Sequence, residues 1–335
     1  MKRIVYREWH LAPQRYWGLL ALLAIVAGIG GLAFWYMEHQ GHWVTGMTNE
    51  IVWGTPHLFA IFLIVAASGA LNLASIGTVF GKTPYQPLGR FSGLLAVALL
   101  IGGLLVLVLD LGRPDRLIVA MTSYNFRSIF AWNVLLYTGF IAIVLAYLVT
   151  MMDRRLRAYY KAAGTLAFTW RLLLTTGTGS IFGFIVARQA FDTAVLAPMF
   201  IVMSFLYGLA VFILVLMFAC AQDERPIGAY LLNRLKGLMA IFIAGVLLFI
   251  LIYFLTKLYG AKHYDLVNYY LVSGGRYTVA FWFGWVFLGL LAPFGIILHP
   301  VLGQDRRWLA GACALVILGG MASLYVLVIG GQAYR

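Results

Sequence analysis

His57 and Asp110 are the side chains best suited to chemistry in an otherwise apolar chain. An imidazole titrates near neutrality, and a carboxylate beside it can orient it or accept its proton. Together they could exchange a proton with an oxygen of a bound molecule. Each also has a plain structural reading, His57 as a core histidine bonded to a neighbouring helix, Asp110 as part of an ion-pair knot with Arg113 or Arg116. His57 closes the run Asn49-Glu50-Ile51-Val52-Trp53-Gly54-Thr55-Pro56-His57, in which Asn49, Trp53 and His57 recur every four residues and so share one helical face. Asp110 is the last carboxylate before Gly112 and Pro114 stop its helix. Trp132, Asn133 and Tyr137 follow, the last two four residues apart on one face. Tyr and Asn can donate to carbonyl oxygens while aromatic rings sandwich a flat ring, although an outer Trp and Tyr also suit an interfacial belt. Arg188 stands four residues before Asp192, the spacing of a helical ion pair. All these groups fall near one rim of the molecule, where a small, amphipathic, lipid-soluble ligand can enter sideways.

A second set lies deeper. Arg171, Thr175 and Thr178 share a helical face, with Ser180 beyond them and Arg171 toward the inner end of its apolar run. Such a hydroxyl ladder can pass protons inward or simply hold helices together, and Gly177 and Gly179 between them favour close packing. An unpaired arginine in lipid costs roughly 2.5–3.5 kcal/mol by insertion scales, so Arg171 needs an acceptor or water beside it.

The elements that hold these residues are membrane spans. Hydrophobic residues make up 63% of the 335 and charged residues 10%, against roughly 25% charged in a soluble globule. A water-soluble enzyme, a disordered chain and a disulfide scaffold are excluded. Nine apolar runs reach the roughly 20 residues that cross a bilayer: approximately 16–37, 51–80, 90–110, 128–151, 163–188, 194–220, 235–257, 278–299 and 308–330. The first is too long for a signal-peptide core and lacks a small-residue cleavage site. The segments between runs are too short for a soluble domain, so residues 1–335 read as a single all-α integral membrane domain. With the N-terminus cytoplasmic, the inner set of Lys and Arg numbers fifteen (Lys2, Arg3, Arg7, Arg15, Lys82, Arg90, Arg154, Arg155, Arg157, Lys161, Arg225, Arg234, Lys236, Arg306 and Arg307) and the outer set eight. That asymmetry favours this orientation. It leaves Arg335 outside, with room for a tenth helix beyond it.

The net charge of +13 is scattered between spans and forms no basic arm for nucleic acid. Cys220 and Cys313 lie inside apolar runs and are too few for an iron–sulfur or zinc site. Only His57 and His299 lie in or at the edge of spans, and at opposite faces, so no bis-histidine haem is expected. Neither haem nor metal is expected in this chain. Glu38, His39 and His42 in the first outer loop read as solvated, and the polar, aromatic loop 258–277 reads as a docking surface or a belt.

The runs Val108-Leu109-Asp110-Leu111-Gly112-Arg113-Pro114-Asp115-Arg116 and Tyr124-Asn125-Phe126-Arg127-Ser128-Ile129-Phe130-Ala131-Trp132 resemble the signature of NrfD-like membrane subunits. These are the quinone-reactive anchors of polysulfide reductase, periplasmic hydrogenase and related complexes. Trp53-Gly54-Thr55-Pro56-His57 and the closing Ile329-Gly330-Gly331-Gln332 are similar too. Within the family, Gly41-His42-Trp43-Val44-Thr45-Gly46-Met47 and Phe80-Gly81-Lys82 look most like the DsrP branch of dissimilatory sulfur metabolism, with hydrogenase-linked anchors next. The resemblance implies two four-helix bundles with flanking helices in the cytoplasmic (inner) membrane. It implies a site for exchangeable menaquinone or ubiquinone near the outer face, lined by Asn49, Trp53, His57, Asp110, Trp132, Asn133, Tyr137 and Arg188. Its implied partners are a DsrO-like periplasmic ferredoxin-like iron–sulfur subunit, a multihaem cytochrome c, a haem-b membrane subunit and a cytoplasmic iron–sulfur subunit. Two other classes fit the composition. A secondary transporter requires broken helices in both halves around a mid-membrane site, and a passive anchor requires only lipid and partner contacts.

Overall fold

The computed structural model describes residues 12–222 and 227–334; Lys2, Arg3, Arg7, Arg225 and Arg335 of the charge count lie outside the described residues. Among these residues the long helices are α1 (Pro13–Gln40), α2 (Thr55–Thr78), α3 (Gly89–Leu109), α4 (Ile129–Met152), α5 (Tyr160–Gly183), α6 (Leu196–Gln222), α7 (Ala229–Tyr259), α8 (Arg276–Leu298) and α9 (Arg306–Ala333). All of them except α5 are long and apolar enough to cross a membrane, and the protein is an all-α, multi-pass membrane protein. Backbone polar groups have no water partner inside a bilayer, so helices, which satisfy them internally, are the form such apolar runs take.

Helix α5 carries Arg171 and several hydroxyls, and it crosses the same layer nonetheless. It runs antiparallel along α4: Asn133 bonds the Gly177 carbonyl, Trp170 bonds the Leu136 carbonyl, and Tyr147 stacks on Tyr160. Its polar residues are tolerated because Arg171, Thr175, Thr178 and Ser180 are all buried against other helices rather than turned to lipid.

Of the helix boundaries that differ from those read in the sequence, two bear on the site. The second span begins at Thr55, not at 51, because Pro56 sits in its first turn and residues 51–54 run extended or bent into it. The fifth runs over 160–183 rather than 163–188, because the chain turns out of the helix at Phe184. Arg171 therefore lies near the middle of its helix, not toward its inner end.

The helices surround two buried cores. One is formed by α2, α3, α4 and α5 around Leu71, Leu100, Phe140 and Leu174. The other joins α6, α7, α8 and α9, with the outer part of α2, around Met203, Tyr207, Ile243 and Trp285. Lipid tails are as apolar as leucine, so close packing and interhelical hydrogen bonds hold these helices together. The tightest seam shows it: a Cβ built on Gly69 of α2 would lie 1.7 Å from the Ser204 carbonyl oxygen, and one on Gly208 of α6 would lie 2.2 Å from the Ala70 nitrogen. Glycine is the only residue that fits either position.

Helix α2 is interrupted at Leu71, just past that seam. The Ser92 hydroxyl enters the gap, donating to the Ala70 carbonyl (2.7 Å) and accepting from the Ala74 N–H (3.1 Å). An inserted side chain of this kind is an ordinary cause of a break in the helical ladder. Helix α1 flanks the bundle, with Met37 as its one buried residue; Trp17, Leu20, Ile25 and Ile29 are exposed, as lipid-facing side chains are.

The loops around 41–54, 110–128, 184–195 and 260–275 gather at one end of the bundle, here called the site end.

Candidate functional site

Thr55 and Pro56 start α2, which places His57 in its first turn at the site end. Asp110 caps the C-terminus of α3, and its side chain has no solvent exposure. A carboxylate so buried needs a partner. It has two: His57 Nδ1 contacts Oδ2, and His42 Nδ1 lies 3.7 Å from Oδ1. Arg113 and Arg116, the partners expected from the sequence, are exposed instead, because Gly112 and Pro114 end the helix and turn the chain outward.

His42 reads from the sequence as a solvated loop residue; the structure brings it into the site. It opens a short 3-10 turn, His42–Thr45, between Gly41 (φ 94°) and Gly46 (φ 86°), two left-handed positions that favour glycine. The turn is clamped to α2, since the Thr55 hydroxyl donates to the Thr45 carbonyl at 3.0 Å. A Cβ on Gly54 would meet the Thr45 hydroxyl at 2.6 Å, so the clamp also requires that glycine. On its other nitrogen, His42 Nε2 lies 3.4 Å from Glu38 Oε1 in the last turn of α1. The spacing of four between Glu38 and His42 was the available signal, and Asp110 completes it only through the fold. Among the described residues, no three His, Cys, Asp or Glu side chains converge as a metal site; these four run in line.

Residues 50–53 approach the site as a strap pinned from the second bundle. The Gln332 side chain, at the end of α9, accepts from the N–H groups of Val52 (2.8 Å) and Trp53 (3.0 Å), and it donates to the Trp53 carbonyl at 3.3 Å. Arg188 donates to the Gln332 carbonyl (3.0 Å) and the Glu50 carbonyl (2.8 Å). The expected pair with Asp192 does not form, because residues 184–192 are not helical; the Asp192 carbonyl accepts from Lys257 instead, at 2.7 Å. Asn49 is exposed and precedes the helix, so it does not share a helical face with His57. Trp53 packs its ring on Phe182 (5.1 Å between centroids) and Phe191 (6.1 Å), with Phe130 of α4 at 6.5 Å. That last contact joins the rim of α4 to the entrance of α2.

On α4 the expected residues separate. Trp132 faces outward at the rim, 47% exposed, and donates to the Phe126 carbonyl at 2.9 Å. Asn133 is buried and donates to the carbonyls of Ile129 (2.9 Å) and Gly177 (3.2 Å), which leaves its buried side-chain oxygen without a partner. Tyr137, one turn deeper and also buried, stands beside the Thr178 side chain.

Residues 43–334 match the family described as polysulphide reductase, NrfD. The chain belongs to the NrfD family. Along 96% of its length it is 29% identical to the Hdr-like menaquinol oxidoreductase integral membrane subunit of Archaeoglobus fulgidus, covering 80% of that protein. It is 24% identical to the C component of polysulfide reductase from Wolinella succinogenes, over 85% of its own length and 96% of that protein. The C component of selenate reductase from Mesobacillus selenatarsenatis is also 24% identical, over 92% of the present sequence and 80% of the relative. The His42 turn begins at the edge of the matched NrfD segment and His57 and Asp110 fall within it, whereas α1 precedes it.

In this NrfD-family protein the deeper hydroxyls form two sets rather than one ladder. Ser68 and Thr175 share a hydrogen bond at 2.6 Å, and both hydroxyl oxygens lie within hydrogen-bond distance of the Arg171 carbonyl, which accepts from whichever hydroxyl is not donating to the other. The fully buried Arg171 guanidinium donates to Asn72 at 2.8 Å, beside the α2 interruption, and stacks between the Phe168 and Phe205 rings at 4.9 and 4.8 Å. Asn72 is thus the acceptor that a buried arginine demands. Thr178 donates to the Leu174 carbonyl and stands beside Tyr137. The hydrogen bonds among the described residues leave Ser180 out of both sets.

Proposed function

We propose that this protein exchanges electrons between the membrane quinone pool and a ferredoxin-like iron–sulfur subunit docked at the site end, in the manner of a DsrP-like subunit of sulfur metabolism. The charge asymmetry of the loops supports a periplasmic site end. The observation that carries the reading is the buried His57–Asp110 pair at the rim of the first bundle. The names of the relatives, a menaquinol oxidoreductase subunit and a polysulfide reductase component among them, support the same class of chemistry.

A quinol brings two electrons and two protons, and the residues present fit such a molecule. With Nδ1 of His57 committed to Asp110, the other ring nitrogen is left for a quinone oxygen. Asp110 fixes the ring orientation and tautomer and balances the charge when His57 takes a proton. The unpartnered Asn133 oxygen offers an acceptor for a hydroxyl hydrogen, and the Trp53 and Phe130 rings offer apolar faces at the entrance. An iron–sulfur partner docked at the rim would take the electrons. A multihaem cytochrome c, a haem-b membrane subunit and a cytoplasmic iron–sulfur subunit complete the complex in this reading. The Ser68–Thr175–Arg171–Asn72 set is a candidate segment of a proton path to the other face, for which the Thr178–Tyr137 pair would supply the site-end half.

His57→Ala in the assembled complex tests the central step. Quinol-linked electron transfer should be abolished while the complex still assembles; normal quinol kinetics would remove His57 from the mechanism.

A further inference from the structure

His42 stands between two carboxylates, one nitrogen toward each. Its Nδ1 lies 3.7 Å from Asp110 Oδ1 and its Nε2 lies 3.4 Å from Glu38 Oε1. An imidazole placed in this way can accept a proton on one nitrogen and release the other nitrogen's proton, so it moves a proton without itself moving far. The groups on either side are graded in exposure. The Asp110 side chain has none, His57 and His42 have 21% and 23%, and Glu38 has 42%. The contacts set the order His57, Asp110, His42, Glu38, and from the buried Asp110 outward exposure rises through His42 to Glu38. The backbone holds this order in place through the Gly41–Gly46 turn and the Thr55–Thr45 clamp. Solvating His42 alone needs neither the clamp nor the two left-handed glycines.

The geometry points to a proton relay that connects the quinone site to the aqueous phase at the site end, with Glu38 and His42 as its outer members. The proposal rests on the quinone reading above. During quinol oxidation the two electrons pass one at a time to the docked iron–sulfur carrier, which hands the first on before taking the second. The proton of the hydroxyl that faces His57 goes to the ring nitrogen on that side, and the hydroxyl on the opposite edge of the quinol gives its proton to water. The proton on His57 Nδ1 passes to Asp110. Asp110 delivers it to His42 Nδ1, the Nε2 proton passes to Glu38, and Glu38 releases it to water. Each imidazole, left protonated on its opposite nitrogen, returns to its starting tautomer by rotation of the ring before the next transfer. Quinone reduction runs the same sequence backward. The 3.7 Å separation at Asp110 is longer than a hydrogen bond and too short to hold a water, so the side chains close it by a small rotation at the moment of transfer.

The test uses the complex as purified from membranes, with menadiol as donor and the complex's own iron–sulfur subunit as first acceptor. His42→Phe and Glu38→Gln are compared with the parent at low and high concentrations of imidazole, which can carry protons from the opened gap. Affinity for a hydroxyquinoline N-oxide inhibitor reports site integrity separately. Turnover should fall at least tenfold in His42→Phe and severalfold in Glu38→Gln, inhibitor affinity should be kept, and added imidazole should restore much of the rate. Parental rates in both variants would overturn the relay, as would a loss that imidazole leaves untouched while the inhibitor still binds. Should His42→Phe not assemble, Glu38→Gln, altered at a partly exposed position, decides by the same two criteria. Failure of the parent itself to oxidise menadiol or to bind the inhibitor would refute the quinone reading, and the relay with it, before any variant is compared.

Discussion

Replacing Asp110 by asparagine keeps the shape of the side chain and removes its charge. The Asp110 side chain is wholly buried, touches His57 and lies 3.7 Å from His42, so water cannot take over its role. A hydrogen bond to a charged group contributes about 1.5–3 kcal/mol and a neutral one about 0.5–1.5 kcal/mol. The exchange therefore removes about 1–2 kcal/mol of support for a protonated His57, a factor of roughly 5–30 from the lost counter-charge alone, and it also cuts the relay, because an amide cannot take up the proton. Asp110→Ala goes further, because the buried Nδ1 of His57 then has no acceptor, at a further cost of about 1–3 kcal/mol. Steady-state menadiol oxidation by the intact complex should thus fall in the order parent, Asp110→Asn, Asp110→Ala. The fall should be in kcat, with assembly and inhibitor affinity less affected. An Asp110→Asn complex within twofold of the parent would refute the role of the carboxylate as counter-charge.

Two further perturbations probe the scaffold. Gly208→Ala puts a methyl 2.2 Å from the Ala70 nitrogen, where ordinary contact begins at 3.4 Å; α2 and α6 must part by about 1 Å, costing about 1–3 kcal/mol or more, read as a lower unfolding temperature in detergent. Asn72→Leu strips Arg171 of its side-chain acceptor and should cost about 1.5–3 kcal/mol, and Arg171→Met added to it should recover most of that loss. Recovery absent in the double variant would mean that Arg171 stabilises the bundle by another route.

The spans were legible because about 20 apolar residues in a row have few other fates, and Asp110 and His57 stood out because polar groups inside such runs are costly. What escaped was set by contacts far apart in the chain. Ile51 and Val52 extend the apolar run of α2, so hydropathy alone starts the helix too early, and Asn49 and Trp53 then fall on an imagined face; Pro56 was the better boundary signal. Nothing local to Asp110 distinguishes His42 from Arg113 as its partner. Arg113 is closer in sequence, yet the turn at Gly112 carries it outward, while the His42 turn is folded back by Thr55. Gln332 stands out in the sequence only as part of a closing motif, and its role, bonding a strap 280 residues earlier, is non-local by nature. Arg188 does lie at the rim but with a different partner, because helical spacing does not apply where the helix has already ended.

The most direct measurement is a cryo-electron microscopy map of the whole complex in lipid nanodiscs with saturating menadiol or a hydroxyquinoline N-oxide. Flat ring density is expected at the rim of the first bundle, with an oxygen within hydrogen-bond distance of the His57 nitrogen that does not face Asp110, and a partner iron–sulfur cluster nearby. Ring density at the opposite end of the helices, with the same occupancy when His57 is replaced by alanine, would contradict it.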